Sequence, residues 1–575
     1  MDQPADTHDV GSGTSQPSKA WLLPLLAFLF AAVLYIPSIE YGFTIDDPLV
    51  TDLNPQVSAD DGGWWRCLDT TLYAGTPQAK KSGNLYRPAL TLSLVMDYRL
   101  GDHRFQPARF HLTNILLYAL CAAVASLVVS HLLRGRVKRA GLATWAVSMT
   151  FIAFPGHLES VCNVKHREEI LALLFGLLAW REVLAHNGRM SWSLVVLTSF
   201  LFLCALASKE STILLLPCMV LWEWRQGVAR PRRWAWAIGC LAATAIYLGM
   251  RYHALGALLS PSGTHHFYSP ALDTVSRVSL ASTTYLRFYV WDQLIGLQLN
   301  PFFSSPFVVS HTGPALALDA FALLSLMASA VGFLIWFWRT GSVFAFAGVF
   351  VIVNSAVTLH IVPMGTAGAF RLMFAPSFGM CLLLGGILVT RKQAWLGLAL
   401  VPILVVYTAV TWTRMPIWSD NASVMSHAAK ANPEDPLASF AAAQAYGVQG
   451  DDERRSSCYR AAFERFERFK DERARFDERW LFSYAFSMTE VAHSRIASAP
   501  SEALTLANRA IQLFLEVESL RGRDENPAVL GPMYVKAATL KEMGRKTEAI
   551  AACEEGLSIG PHRGLQAIRA ELQEK

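Results

Sequence analysis

Phe110-His-Leu-Thr-Asn-Ile-Leu-Leu-Tyr-Ala-Leu-Cys-Ala-Ala-Val-Ala-Ser-Leu-Val-Val-Ser-His-Leu-Leu133 contains no Asp, Glu, Lys or Arg. As a helix it reaches about 36 Å, enough to cross the roughly 30 Å apolar core of a bilayer. Inside lipid every backbone N–H and C=O must pair within its own segment, so a helix is the conformation this stretch dictates. Similar runs recur on both sides of it. The chain has 575 residues, 53% of them hydrophobic and 17% charged, whereas soluble domains carry about 25% charge. Apolar runs are expected to span at Trp21–Ile39, Phe110–Leu133, Leu142–Phe154, Ile170–Leu184, Trp192–Ala207, Thr212–Trp224, Trp234–Arg251, Leu316–Trp338, Val343–Ile361, Leu372–Val389 and Ala394–Trp412. The fold class that follows is all-α, a polytopic bundle of about 11 spans over residues 19–415.

Flanking charge orients the bundle. The most basic short loops are Arg134-Gly-Arg-Val-Lys-Arg139, Arg225 to Arg233, and Arg391-Lys392. Such loops stay on the cytoplasmic side. The opposite face then receives the first large loop (40–109), Pro155–Glu169, Ser208–Ser211, Val362–Arg371 and the C-terminal region. Ser279–Leu299 is apolar but contains Arg287 and Asp292, and is read as re-entrant or interfacial. Residues 1–18 are polar and read as disordered. Trp21–Ile39 lacks a small-residue cleavage site and reads as a retained span rather than a cleaved signal. The nine cysteines form no CxxC pair, and six adjoin apolar segments, so neither a disulfide framework nor a zinc site is expected. A net charge of +5 without a basic–aromatic cluster gives no sign of nucleic-acid binding.

Beyond about residue 416 the apolar runs stop and paired amphipathic helices are expected to 575. Asn526–Pro561, with Leu540, Gly544, Ala549 and Ala552, and Pro436–Phe469, with Gly447, Gly450 and Ala462, have the spacing of tetratricopeptide (TPR) repeats. A plain helical hairpin stack fits the same pattern. Either offers a concave docking surface.

Ionisable groups gather beside the spans on the non-cytoplasmic face. They are Asp46-Asp47, Tyr86-Arg87-Pro88, His111 with Asn114, His157 with Glu159, Lys165-His-Arg-Glu168, Lys209-Glu210 and Arg371. Charge at membrane depth is costly and marks function. A carrier places such groups near the midplane, whereas this set lies at the water–lipid boundary. Each has a plainer reading. Asp46-Asp47 suits a solvated turn before Pro48, Arg87 and Arg167 suit headgroup anchors, and Lys209-Glu210 an internal pair. His265-His266 reads as exposed rather than metal-binding.

In order along the chain, these motifs resemble the transmembrane-and-TPR-containing O-mannosyltransferases and their bacterial relatives, in the GT-C class of glycosyltransferases. Carrying the resemblance are Tyr41-Gly-Phe-Thr-Ile-Asp-Asp47, Tyr86-Arg-Pro-Ala-Leu90, Phe110-His-Leu-Thr-Asn-Ile-Leu-Leu117 and Phe154-Pro-Gly-His-Leu-Glu-Ser-Val161. Arg167-Glu-Glu-Ile-Leu171, Ala207-Ser-Lys-Glu210, and Ile361-Val-Pro-Met-Gly-Thr-Ala followed by Arg371 and Ala375-Pro-Ser-Phe-Gly379 continue it. Phe154, Phe370 and Leu372-Met-Phe-Ala375 depart from the family pattern. The resemblance implies inverting transfer of a sugar, mannose in the family, from a polyprenyl-phosphate carrier to a protein hydroxyl. Asp46 or Asp47 is the expected base. Arg87, Arg167, Lys209 and Arg371 are the expected donor-phosphate cations, supported by Tyr86, His111, His157, Glu159 and Glu210. An Asp pair also suits Mg²⁺ or Mn²⁺; the resemblance favours no metal and no other cofactor. The expected partners are the lipid-linked sugar, the bilayer and a protein acceptor docked on the repeats. Short loops and the lack of a retention signal favour a bacterial plasma membrane over the endoplasmic reticulum. The alternatives are a non-catalytic membrane-anchored TPR scaffold and a lipid-linked glycan transporter.

Overall fold

The computed structural model describes residues 21–574 except 60–62, 77–78, 80–84, 187–189, 228–233, 259–272, 293–313, 362–367, 391–398, 471–477 and 522–526. The expected N-terminal segment, His265-His266, Arg391-Lys392 and most of the late loop fall outside the described residues.

A helix lies within each expected span, and no β-strand occurs, among the described residues. Leu22–Glu40, Pro107–Leu133, Leu316–Thr340 and Leu400–Trp418 are long and apolar enough to cross a bilayer. Ala140–Ala153, Trp192–Ser208, Val343–Leu359 and Phe370–Gly386 are shorter apolar helices packed with them. This is an all-α membrane protein. Small residues set the helix spacing, as dispersion contacts demand in lipid. A Cβ on Gly385 would lie 2.9 Å from the Val147 nitrogen, and one on Gly379 would lie 2.9 Å from the Ala347 oxygen. Helix Phe374–Thr390 is therefore wedged backbone-close between Ala140–Ala153 and Val343–Asn354. The segment read as re-entrant is helical over its described part, as Thr274–Thr284 continued by a π-helical run Tyr285–Asp292.

The loops sort to two ends of the bundle. At one, Arg136 donates to Gln226 Oε1 at 2.7 Å, joining two of the basic loops. At the other, the first loop folds on an apolar cluster of its own, including Val50, Tyr73, Leu90, Leu94 and Phe110, around helix Pro88–Leu100. Residues 155–166 and 209–214 and the start of the C-terminal region meet it there.

The C-terminal region is a stack of antiparallel helices. Pro436–Gln449 and Asp452–Arg468 meet at Gly450, with φ of 76°, and Leu530–Glu542 and Lys546–Ile559 meet at Gly544, with φ of 73°. Only glycine holds that backbone without cost, and it ends each first helix. Asp435 caps its helix by accepting from the Leu437 amide at 2.9 Å, with Pro436 at the first turn. Ala462, Leu540, Ala549 and Ala552 are buried where helices cross. Between the two hairpins, Glu478–Ser494 and Pro500–Arg521 pair around Tyr484, Met488, Ala507 and Phe514.

Candidate active site

The site is built on the turn after the first helix. Ile45 has φ of 52°, a left-handed backbone rare for a β-branched residue. The kink sends two adjacent carboxylates in different directions. Asp47 points inward and is fully buried. Its Oδ2 accepts from the Thr44 amide at 2.9 Å and its Oδ1 from the Lys165 amide at 2.7 Å. Asn163 locks the arrangement by donating to the Thr44 carbonyl at 3.0 Å and to its hydroxyl at 3.1 Å. Burial pushes the Asp47 carboxyl up to about 7, against the pull of the Thr44 and Lys165 amides. Asp46 is half-buried, and among the described residues its carboxylate accepts no hydrogen bond. Its charge bears on both Arg371 and Lys165.

Around this turn stands a cluster of paired ions. Arg87 bridges Glu168 and Glu210, the latter at 3.3 Å. Lys165 reaches Glu168 at 3.4 Å. Lys209 pairs with Glu169. Arg371 pairs with Glu159, whose Oε2 also accepts the Arg371 amide at 2.9 Å. The pairs join the first loop, residues 155–169, the Lys209 loop and the late loop into one charged layer at the end of the apolar bundle. Buried ions persist only when so partnered.

The four expected cations are not equivalent. Arg371 is 16% exposed, Arg87 and Lys209 are each 7% exposed, and Arg167 is at 0%. Arg167 is saturated. It pairs with Asp97 at 2.6 Å and donates to Asn114 at 2.6 Å, to Ser93 at 3.1 Å and to the Phe110 carbonyl at 2.9 Å. That geometry ties the first loop to two helices and leaves the guanidinium enclosed. Asp47, one of the two expected bases, is also enclosed, with both oxygens on backbone amides.

The supporting residues are each engaged by neighbouring backbone or side chains. Tyr86 donates to the Leu68 carbonyl at 2.6 Å. His111 lies 3.2 Å from the Gly42 carbonyl. His157 is buried between the Tyr118 hydroxyl at 2.8 Å and Ser377 at 2.7 Å. Burial pushes its imidazole down to about 3, so it is neutral. Glu159 and Glu210 each hold an arginine, as described above. Thr44, Asp97, Asn163, Glu169 and Asn421 were not among the expected site residues. The run Lys165-His-Arg-Glu-Glu169, five ionisable residues directly before an apolar stretch, was the available signal for its own members.

A small cavity of about 30 Å³ lies beside the Lys209–Glu169 pair, with apolar side chains including Leu173, Leu215, Phe350, Val357 and Leu372 in its lining. Among the described residues no three His, Cys, Asp or Glu side chains gather as a metal-ligand set.

No family model matches the chain. Individual proteins do. Protein O-mannosyl-transferase Tmtc2 of Drosophila melanogaster is 31% identical over 210 residues, 35% of this chain and 21% of that one. Tmtc1 of the same fly is 28% identical over 191 residues, 32% and 20% of the two chains. Human protein O-mannosyl-transferase TMTC3 is 27% identical over 187 residues, 31% and 19%. The chain is a relative of the TMTC protein O-mannosyl-transferases. The similarity spans about a fifth of the length of those TMTC relatives.

Proposed function

We propose that this chain is a membrane glycosyltransferase that moves a sugar, mannose by its relatives' names, from a polyprenyl-phosphate carrier to a protein hydroxyl. Asp46 carries the reading: a half-buried carboxylate without a hydrogen bond among the described residues, on a strained turn, within the field of Arg371 and Lys165. An alcohol is a weak nucleophile, so a carboxylate that can take its proton during attack is required. The acceptor oxygen bonds to the anomeric carbon as its proton passes to Asp46. The carbon–oxygen bond to phosphate breaks, and its electron pair leaves with the lipid phosphate. Attack opposite the leaving group inverts the sugar. Charge grows on the phosphate as it leaves, and preorganised cations lower that barrier. Arg371 and Lys209 are the candidates, with Arg87 behind them. Their carboxylate partners fix their heads before the donor arrives. Asp47 and Arg167 position: one shapes the turn, the other fastens the loop.

The test is purified full-length protein in lipid, given polyprenyl-phosphate mannose and a Ser/Thr peptide, with the glycosidic product read by mass spectrometry. Asp46→Asn is expected to lose ~10²–10⁴-fold in rate. Undiminished transfer by that variant would remove Asp46 as base. Donor movement across the bilayer without a new glycosidic bond would favour a transporter, and partner binding alone a scaffold.

A further inference from the structure

The Asp46 turn is held from a distant part of the chain. The Ile45 amide donates to the Asn421 side-chain oxygen, 376 residues away. Because the partner is an N–H, the oxygen end of the amide must face it. Gly42, on the other side of the kink, donates its amide to the Ser419 carbonyl at 2.9 Å. Asn421 opens helix Asn421–Ala431, the first element beyond the membrane bundle. Asp420 caps that helix by accepting from the Ser423 amide at 3.0 Å, and accepts Gln449 at 3.0 Å from the next helix. Met415, Trp418 and Val424 anchor the same segment in the bundle's own apolar core. Asn421 is therefore fixed at both ends of its surroundings, and it meets the chain at a residue whose backbone conformation is unfavourable unless imposed.

We infer that Asn421 is a positioning residue: its side chain holds Ile45 in the left-handed conformation and thereby aims Asp46. The inference rests on the reading of Asp46 as the base. It makes the junction of bundle and repeats part of the catalytic turn rather than a passive linker.

The experiment uses the full-length protein in nanodiscs, with two independent readouts. Hydrogen exchange by mass spectrometry on a peptide covering residues 41–50 reports the clamp without any turnover. Steady-state kinetics with polyprenyl-phosphate mannose report the base. Asn421→Ala is expected to speed exchange in that peptide and to lower kcat roughly tenfold, with donor KM within about twofold, since only alignment in the transition state is lost. Adding Ile45→Gly is expected to recover most of that kcat, because glycine holds a positive φ unaided. A general loss of stability would not be relieved in this way. Asn421→Asp, which keeps an acceptor oxygen, is expected to retain slow exchange, and serves if the alanine variant does not fold. Unchanged exchange in Asn421→Ala, or a kcat loss that Ile45→Gly does not relieve, would overturn the inference. Faster exchange in a protein whose wild type forms no glycosidic bond would instead overturn the proposed function and leave the clamp standing.

Discussion

Asp46 and Asp47 share a side chain and differ by one position, yet their surroundings oppose each other. Asp47 has both oxygens engaged by backbone amides, while Asp46 is left to the cations of distant loops. Titration separates them. Burial raises the Asp47 carboxyl to about 7 in the folded protein, from about 3.9 in an unfolded chain. A raised acid binds its proton more tightly when folded. Its contribution to stability is thus complete below about pH 4 and is lost as pH rises through 7. Asp47→Asn cannot ionise, although its amide nitrogen leaves one backbone N–H without an acceptor, at a cost of about 1–3 kcal/mol. The melting temperature of wild type should therefore exceed that of Asp47→Asn most at pH 4, with the gap narrowing toward pH 8. A gap independent of pH would show that Asp47 does not titrate there.

Elements in this chain are decided locally and assembled through glycine. A Cβ at Gly385 would meet the Ala146 and Val147 backbone at 2.9–3.0 Å, and a backbone cannot swing aside as a side chain can. Gly385→Ala should destabilise the bundle by roughly 1–3 kcal/mol, as overpacked sites do. In the repeats, Gly544→Ala meets open space but must keep φ of 73°, at about 1–2 kcal/mol. Thermal unfolding in detergent should place the first loss in the bundle transition and the second in that of the repeats. Equal effects of both variants on one transition would mean that the two regions melt as a unit. Only one of these two sites was legible in sequence. Gly544 stands at a turn between two amphipathic runs, where a helix stop is expected. Gly385 sits mid-run in an apolar helix, where only the neighbouring backbone shows why no side chain fits.

At the scale of the molecule, the ion-paired layer, the first loop and the start of the repeats occupy one end of the bundle, and the Arg136–Gln226 contact the other. Basic loops are retained in the cytoplasm, which predicts opposite labelling. In sealed vesicles a membrane-impermeant maleimide should reach Asp102→Cys and Ser501→Cys from the same side and Lys138→Cys from the other. Labelling of Ser501→Cys together with Lys138→Cys would separate the repeats from the Asp46 face and end the docking role expected of them from the sequence.

Hydropathy, charge and turn residues determined the membrane medium, the helices, the change of character near residue 416 and the loops in which ionisable groups concentrate. These are readable because backbone pairing in lipid and amphipathic spacing act over a few turns of chain. The tertiary structure alone decided that Arg167 is enclosed while Arg371 is partly open, that Asp46 rather than Asp47 is unengaged, and that Asn421 reaches Ile45. Each of those depends on which distant surfaces pack together, and a contact across 376 residues leaves no periodic trace in the sequence at either end.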